Sequence, residues 1–268
     1  MLGTDLRRDG AHPRPYVMGI LNATPDSFSD GGLHPDPESA FGHAMRMIDE
    51  GAEVIDVGAE STRPGFTPVP EDEEISRLIP VIRRIRESSD IPVSVDTMKP
   101  GTARAALEAG ADIINDVNAL RAPGMAELAA EYDVPVVIMH SPFDICEVHR
   151  MDMPDPVIPQ IRSFFERRAD ELMQLGVRRE NIIIDPGVGF GKTMGQNVSI
   201  VNCLRELDIG FPILAGLSRK RFLSEMYLGE DRDEATVRAS IVAAENGADI
   251  LRVHDVGRMV GSLQNMNL

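Results

Sequence analysis

Three acceptor-bearing side chains, Asp96, Asn115 and Asp185, each stand at the end of a short apolar run. Left unpaired in an apolar rim they are costly, and a ligand with several N–H donors satisfies them. An aminopyrimidinone ring, with its exocyclic amine and ring N–H groups, carries those donors. Met139, Phe190 and the bare backbone at Gly216 offer flat or adaptable apolar walls for such a ring. The competing reading is a set of internal hydrogen bonds to loop backbone. A second group is cationic: Arg63, Lys220, Arg221 and Arg252, with His254. On a chain of net charge −16 these point to an anionic ligand. Arg252 and His254 are two apart on one strand and so share a face. Together with Asn22 they can hold a phosphate or pyrophosphate. A salt bridge to Asp or Glu is the alternative for Arg252, and a satisfied rim histidine the alternative for His254.

Asn22 lies in the most informative stretch, Gly19 to Gly32, at the point where an apolar run gives way to a polar loop containing Pro25, Gly31 and Gly32. Its amide can coordinate a metal or accept a hydrogen bond, and Thr24, Ser27 and Ser29 add hydroxyls. A second loop, Asp185 to Lys192, carries Gly187, Gly189 and Gly191. Its spacing fits neither the dinucleotide-binding G-x-G-x-x-G nor a phosphate-binding P-loop, so it reads as a tight turn that lets backbone approach a ligand. Asp144, Cys146 and His149 lie close together, but they lack a second Cys/His pair and read as a surface loop rather than a zinc site. Lys99, Lys192 and Lys220 are the only lysines, against 24 arginines, and all three follow strand-like runs. That placement suggests site chemistry, although three cases also arise by chance.

Eight apolar runs are positioned to carry these residues: 16–21, 54–57, 92–95, 113–114, 135–139, 182–184, 212–214 and 250–253. Helical periodicity fills the intervals, for example at 39–50, 75–86, 102–108, 158–175 and 234–246. Gly51, Gly110 and Gly247 each begin a Gly-Ala-acid segment where a helix must end and a strand begin. This alternation predicts a parallel sheet with outer helices, and eight units favour one closed (β/α)8 TIM-type barrel over an open doubly wound sheet. The expected organisation is a single domain over 1–268 with a polar extension at 1–14. In such a barrel the polar residues converge at the C-terminal mouth.

A strongly acidic chain argues against nucleic acid or an anionic membrane as partner. No apolar run is long enough to span a bilayer, no signal-peptide core is visible, and two cysteines imply no disulfide framework. A cytoplasmic enzyme is the expectation. The acidic, lysine-poor composition fits a salt-adapted cytoplasm, with genomic base composition as the alternative.

The motifs at 21–32, Glu60-Ser-Thr-Arg-Pro-Gly65, Ser94-Val-Asp-Thr97, Asn115-Asp-Val117, 185–192, Ser218-Arg-Lys220 and 252–256 together resemble the dihydropteroate synthases of the pterin-binding family. The resemblance runs from about Tyr16 to Val256. It implies a transferase that joins a dihydropterin hydroxymethyl diphosphate to p-aminobenzoate and releases pyrophosphate, in folate-type cofactor synthesis. By the same resemblance Asp96, Asn115, Asp185 and Lys220 bind the pterin, with Met139, Phe190 and Gly216 lining its slot. Asn22, Arg252 and His254 hold the diphosphate, with Mg2+ at Asn22. Phe28, Thr62, Arg63, Pro64 and Ser218 shape the aminobenzoate pocket, and the loops at 24–30 and 62–64 close over it. The principal catalytic work falls on Asp96, Asp185, Lys220, Arg252 and His254. A homodimer formed through outer helices is also implied.

Two departures bear on the acceptor. The segment His140 to His149 differs from the usual continuation, and Arg221 stands where the family usually has Ser. Arg221 suits a carboxylate or a larger anion, so a related transferase using a phosphoribosylated aminobenzene is the alternative. A pterin-binding methyl-carrier module shares the barrel, but generally lacks the loop at 24–28, the Ser-Arg-Lys segment and the Arg-Val-His strand, all of which are present here. A non-catalytic binding protein ranks below it.

Overall fold

The structure is a computed structural model, and it describes residues 6–9, 11–23, 37–60, 67–143, 145, 148 and 152–264. Its strands are β1 (Tyr16–Asn22), β2 (Val54–Gly58), β3 (Val93–Asp96), β4 (Ile113–Asp116), β5 (Val136–Met139), β6 (Ile182–Asp185), β7 (Leu214–Ala215) and β8 (Ile250–Val253). They are parallel, in the order β6-β5-β4-β3-β2-β1-β8-β7. A parallel bridge between Ile184 and Ile213 joins β6 to the approach of β7, which an open sheet would leave at opposite edges. The barrel expected from the alternating pattern is therefore the observed fold. The α-helices are α1 (Pro37–Asp49), α2 (Glu71–Ser88), α3 (Pro100–Glu108), α4 (Met125–Tyr132), α5 (Val157–Gln174), α6 (Met194–Asn202), α7 (Arg221–Met226), α8 (Arg232–Glu245) and α9 (Val256–Gln264), and short 3-10 turns at Arg179–Asn181 and Leu204–Leu207 complete the described helical elements. Among these, no helix is long and apolar enough to cross a membrane.

Side-chain parity along the strands sorts the interior into layers. Met18, Val54, Ile113, Val137, Ile183, Leu214 and Ile250 form an apolar plug in the lower barrel. Leu6 joins this plug, so the segment read as a polar extension contributes an apolar anchor. Two residues further along several of these strands, the inward positions turn polar: Asp56, Asn115, Asp185 and Arg252. The plug is thus the floor on which a polar site stands. Replacing Leu6 with Ala is expected to lower unfolding free energy by about 2–5 kcal/mol, the usual range for emptying a buried leucine site. Chemical denaturation checks this, and turnover at low temperature should be unchanged.

The repeated Gly-Ala-acid segments have a specific structural basis. Gly51, Gly110 and Gly247 adopt positive φ, as their place after a helix predicts. The acid that follows accepts an N–H at or next to the start of a neighbouring strand. Glu53 Oε2 accepts from Val17 N at 3.0 Å, Asp112 Oδ2 from Val93 N at 2.9 Å, and Asp249 Oδ2 from Ile213 N at 2.8 Å. These three carboxylates satisfy strand-start donors at the end of the barrel opposite the polar layer.

Candidate active site

Asp56 is the centre of the polar layer. It lies fully buried in the middle of β2. Arg252, on β8, donates from Nε to Asp56 Oδ2 at 2.6 Å and from Nη2 to Asp96 Oδ2 at 2.6 Å. Asn115, at the end of β4, donates its Nδ2 to both oxygens of Asp56, at 3.1 and 3.3 Å. Its NH2 is thereby committed inward, and its carbonyl oxygen remains the acceptor. The salt-bridge alternative for Arg252 is realised in this structure. Two of the three guanidinium nitrogens are engaged, and N–H groups remain on Nη1 and Nη2 for an anionic oxygen.

Burial raises the Asp96 carboxyl to about 7; Asp56, Asp116 and Glu74 push in the same direction, and Arg252 opposes them. Burial likewise lowers Arg252, but the neighbouring carboxylates of Asp56 and Asp96 outweigh it and the guanidinium stays charged. Asp185, at the end of β6, is raised by burial against the pull of Lys220 and of the hydrogen bond from Gly187 N at 2.7 Å. Lys220 is drawn down to about 8 by burial, with Asp185 opposing. Its Nζ donates to the Val188 carbonyl and sits 4.8 Å from the centroid of the Phe190 ring. Gly216 adjoins the same carboxylate: a Cβ there would lie 3.6 Å from Asp185 Oδ2. Met139 and Phe190 belong to one small apolar cluster with Val117, Ile145 and Val148, which forms an apolar wall beside these groups.

The remaining candidates divide clearly. Asn22, half-buried at the end of β1, has no side-chain hydrogen bond among the described residues. Ser218 and His254 are joined at 2.8 Å between Oγ and Nδ1. Arg221 is on the rim, its side chain 93% exposed and paired with Glu225 in the next turn of α7. Phe28, Thr62, Arg63 and Pro64 lie outside the described residues, as do the loop at 24–30 and the trio Asp144, Cys146 and His149.

The glycine-rich turn after β6 does something more local than ligand approach. At Gly187 a Cβ would fall 2.0 Å from the His140 carbonyl oxygen, so only glycine permits that contact. Lys192 then reaches under the turn and donates to the carbonyls of Gly187 at 2.8 Å, Phe190 at 2.9 Å and His140 at 3.4 Å. Three N–H groups meet three acceptors. Burial lowers this amine to about 7, Lys220 adds to the effect, and Asp185 opposes it. Lys99 is structural too, held by Glu60 at 2.8 Å and by the fully buried Glu74 at 2.6 Å. Of the three lysines, Lys220 alone stands in the crevice. His140 packs its ring against Phe164 and Phe165, and burial drives it down to about 2, with Lys192 and Arg121 adding, so it stays neutral. Asp116, next to Asn115, accepts from Asn118 N and Leu120 N and shapes its own turn.

Asp56 is the residue that the motif reading passed over. The signal was present: a carboxylate inside the apolar run Val54–Val57, at the parity that shares a face with Val54.

The comparisons with known proteins agree with this geometry. The family model described as pterin binding enzyme matches residues 18–254. A dihydropteroate synthase of Streptococcus pyogenes is 47% identical over 246 residues, covering 90% of each chain. A dihydropteroate synthase structure from Xanthomonas albilineans with 4-aminobenzoic acid superposes with a TM-score of 0.88 at 44% identity, covering 96% of each chain. Another structure of the Xanthomonas albilineans enzyme, in complex with 7,8-dihydropteroate, gives 0.84 at 43% identity and covers 94% of this chain and 92% of that one. With the barrel, the buried acid–amide–arginine layer and these matches in agreement, the chain belongs to the dihydropteroate synthase family of pterin-binding enzymes.

Proposed function

We propose that this enzyme condenses a dihydropterin hydroxymethyl diphosphate with p-aminobenzoate and releases pyrophosphate. The observation that carries this reading is the meeting of Asp96, Asn115, Asp185, Lys220 and Arg252 above one apolar floor. The donor-rich edge of the pterin pairs with Asp96, the Asn115 carbonyl and Asp185, while Lys220 donates to a ring acceptor. Met139, Phe190 and Gly216 border the ring faces. The C–O bond to the diphosphate breaks with its electron pair on oxygen, and positive charge develops on the pterin methylene carbon. Carboxylates beside the pterin favour that charge, and the free N–H groups of Arg252 together with His254 favour the departing anion. The arylamine nitrogen then supplies the pair for the new C–N bond and loses a proton. No covalent bond to the protein is needed.

Mg2+ fits the donor set at the mouth. Among the described residues no cluster of three or more His, Cys, Asp or Glu side chains is placed to cage a metal. Asn22 offers one uncommitted amide oxygen, and Mg2+ commonly takes one or two protein ligands plus phosphate oxygens and water. Mg2+ held there would neutralise charge on the leaving diphosphate. Removal of divalent metal with EDTA is expected to suppress turnover, with recovery on adding MgCl2; unchanged rates in EDTA would remove the metal from this account. The whole chain, 1–268, is proposed to act as one cytoplasmic domain that pairs as a homodimer, which sedimentation measures.

Arg221 supports a second acceptor as the competing reading, because its exposed guanidinium suits a bulkier anion at the rim. Pyrophosphate release in the presence of the pterin diphosphate and either p-aminobenzoate or a phosphoribosylated aminobenzene tests both. Release with p-aminobenzoate supports the leading reading, release only with the ribosylated amine transfers it to the second, and release with neither defeats both.

A further inference from the structure

The contact between Ser218 and His254 is double. Ser218 Oγ lies 2.8 Å from His254 Nδ1, and the backbone N–H of His254 donates to the same Oγ at 3.2 Å. A serine hydroxyl has one proton and two acceptor lone pairs. The backbone N–H takes one lone pair. Among the described residues, Nδ1 is the only acceptor within reach of the hydroxyl proton. With the hydroxyl donating to Nδ1, that nitrogen is bare in the neutral ring and the ring proton resides on Nε2.

We infer that Ser218 is a positioning residue that fixes His254 in its Nε2–H form and so presents a donor to the anionic leaving group. This rests on the proposed role of His254 at the diphosphate. It also changes what Ser218 does: its hydroxyl is spent on the histidine instead of on the arylamine acceptor. Both residues sit where the chain leaves the sheet, Ser218 after β7 and His254 directly after β8, with Thr236 of α8 bracing the intervening turn through Arg219 N at 3.0 Å. Arg219 has a positive φ of 58° and its guanidinium is held by both oxygens of Asp233, at 2.7 and 2.8 Å. The backbone carrying Ser218 is thereby set from outside the crevice, which keeps the hydroxyl on Nδ1 before any ligand arrives.

The test uses the whole enzyme with 15N-labelled histidine. Two-bond proton–nitrogen correlation spectra report the tautomer, and the His254 pair is identified by its loss in H254Q. The wild type is expected to show a bare Nδ1 and protonated Nε2, Ser218→Ala a mixture of tautomers, and Ser218→Thr the wild-type pattern. In steady-state assays Ser218→Ala should lower kcat/KM for the pterin diphosphate about tenfold, the scale of one hydrogen bond to a charged group. The KM for p-aminobenzoate should hold, and Ser218→Thr should restore the rate. A wild-type ring protonated at Nδ1 and bare at Nε2 overturns the proposal and leaves the diphosphate role of His254 standing. A rise confined to the p-aminobenzoate KM in Ser218→Ala overturns it in favour of an acceptor-binding serine. Near-normal kinetics in H254Q overturns the diphosphate role itself, and the function of Ser218 with it.

Discussion

Lys220→Met is expected to lower kcat/KM for the pterin diphosphate by about 10²–10³-fold, the usual cost of losing one preorganised charged donor, while leaving the fold intact. The asymmetry follows from where the amine sits. Burial pulls Lys220 down to about 8, so the protein is already opposing its charge. Methionine keeps most of the apolar stem beside Phe190 and removes the desolvated ammonium, so thermal stability should hold or rise slightly. The remaining partner, Asp185, keeps its hydrogen bond from Gly187 N. The pH profile supplies a second readout. The working form is the cation, and its lowered pKa means that it is lost sooner than an ordinary lysine's as pH rises. Activity should therefore fall above about pH 8 in the wild type. In Lys220→Arg the side chain stays charged, so that basic limb should move upward even if the rate is reduced. Stopped rates from pH 6 to 10 measure both. Near-normal turnover in Lys220→Met would remove this residue from the chemistry.

Arg252→Met should be damaging in a different way, through stability as well as rate. The guanidinium is the shared partner of Asp56 and Asp96, each at 2.6 Å. Taking it away leaves two carboxylates facing a common interior with no cation between them. Breaking a buried pair by removing one partner costs about 3–5 kcal/mol. The size of the loss should depend on pH. Burial already raises Asp96 to about 7 in the folded protein against the pull of Arg252, and without Arg252 its pKa must rise further. A carboxylate whose folded pKa is raised contributes stability that is fully present below its unfolded value. That contribution is lost as pH climbs through the folded one. The variant should therefore lie closer to wild type near pH 5 than near pH 8. Adding Asp56→Asn to Arg252→Met removes one of the two acids and should return part of the stability at pH 8. Thermal unfolding of the three proteins at both pH values decides it. An equal loss at pH 5 and pH 8 would show that Arg252 acts through packing and not through charge.

These two residues also show why some of the site was legible before any fold was known. Lys220 follows an apolar run and Arg252 is the next-to-last residue of one, and in a repeating strand–loop–helix chain those positions send a residue toward one rim. Asp96, Asn115 and Asp185 were found by the same rule. Asp56 was not: it is next to last in its run, as Arg252 is, and an acid there reads as an interruption. Its meaning depends on Arg252, 196 residues away, and on Asn115, 59 residues away, reaching it. Lys192 and Lys99 satisfied the positional rule and still proved to be struts, since their acceptors are backbone carbonyls in one case and Glu60 and Glu74 in the other. Arg221 carried the right charge but stays at the rim as the first residue of α7, in reach of Glu225.

The amino-acid order by itself determined the repeating units, the direction in which each strand delivers its polar terminus, and the identities of most groups at the mouth. Those properties are local: a period, a glycine after a helix, an acid or amide where apolar residues stop. Which of the charged groups face one another was decided only by the tertiary structure. Strand register and side-chain parity set whether a buried charge meets an opposite charge, a carbonyl or water, and in a low-dielectric interior that meeting separates a group available for chemistry from one that holds the frame.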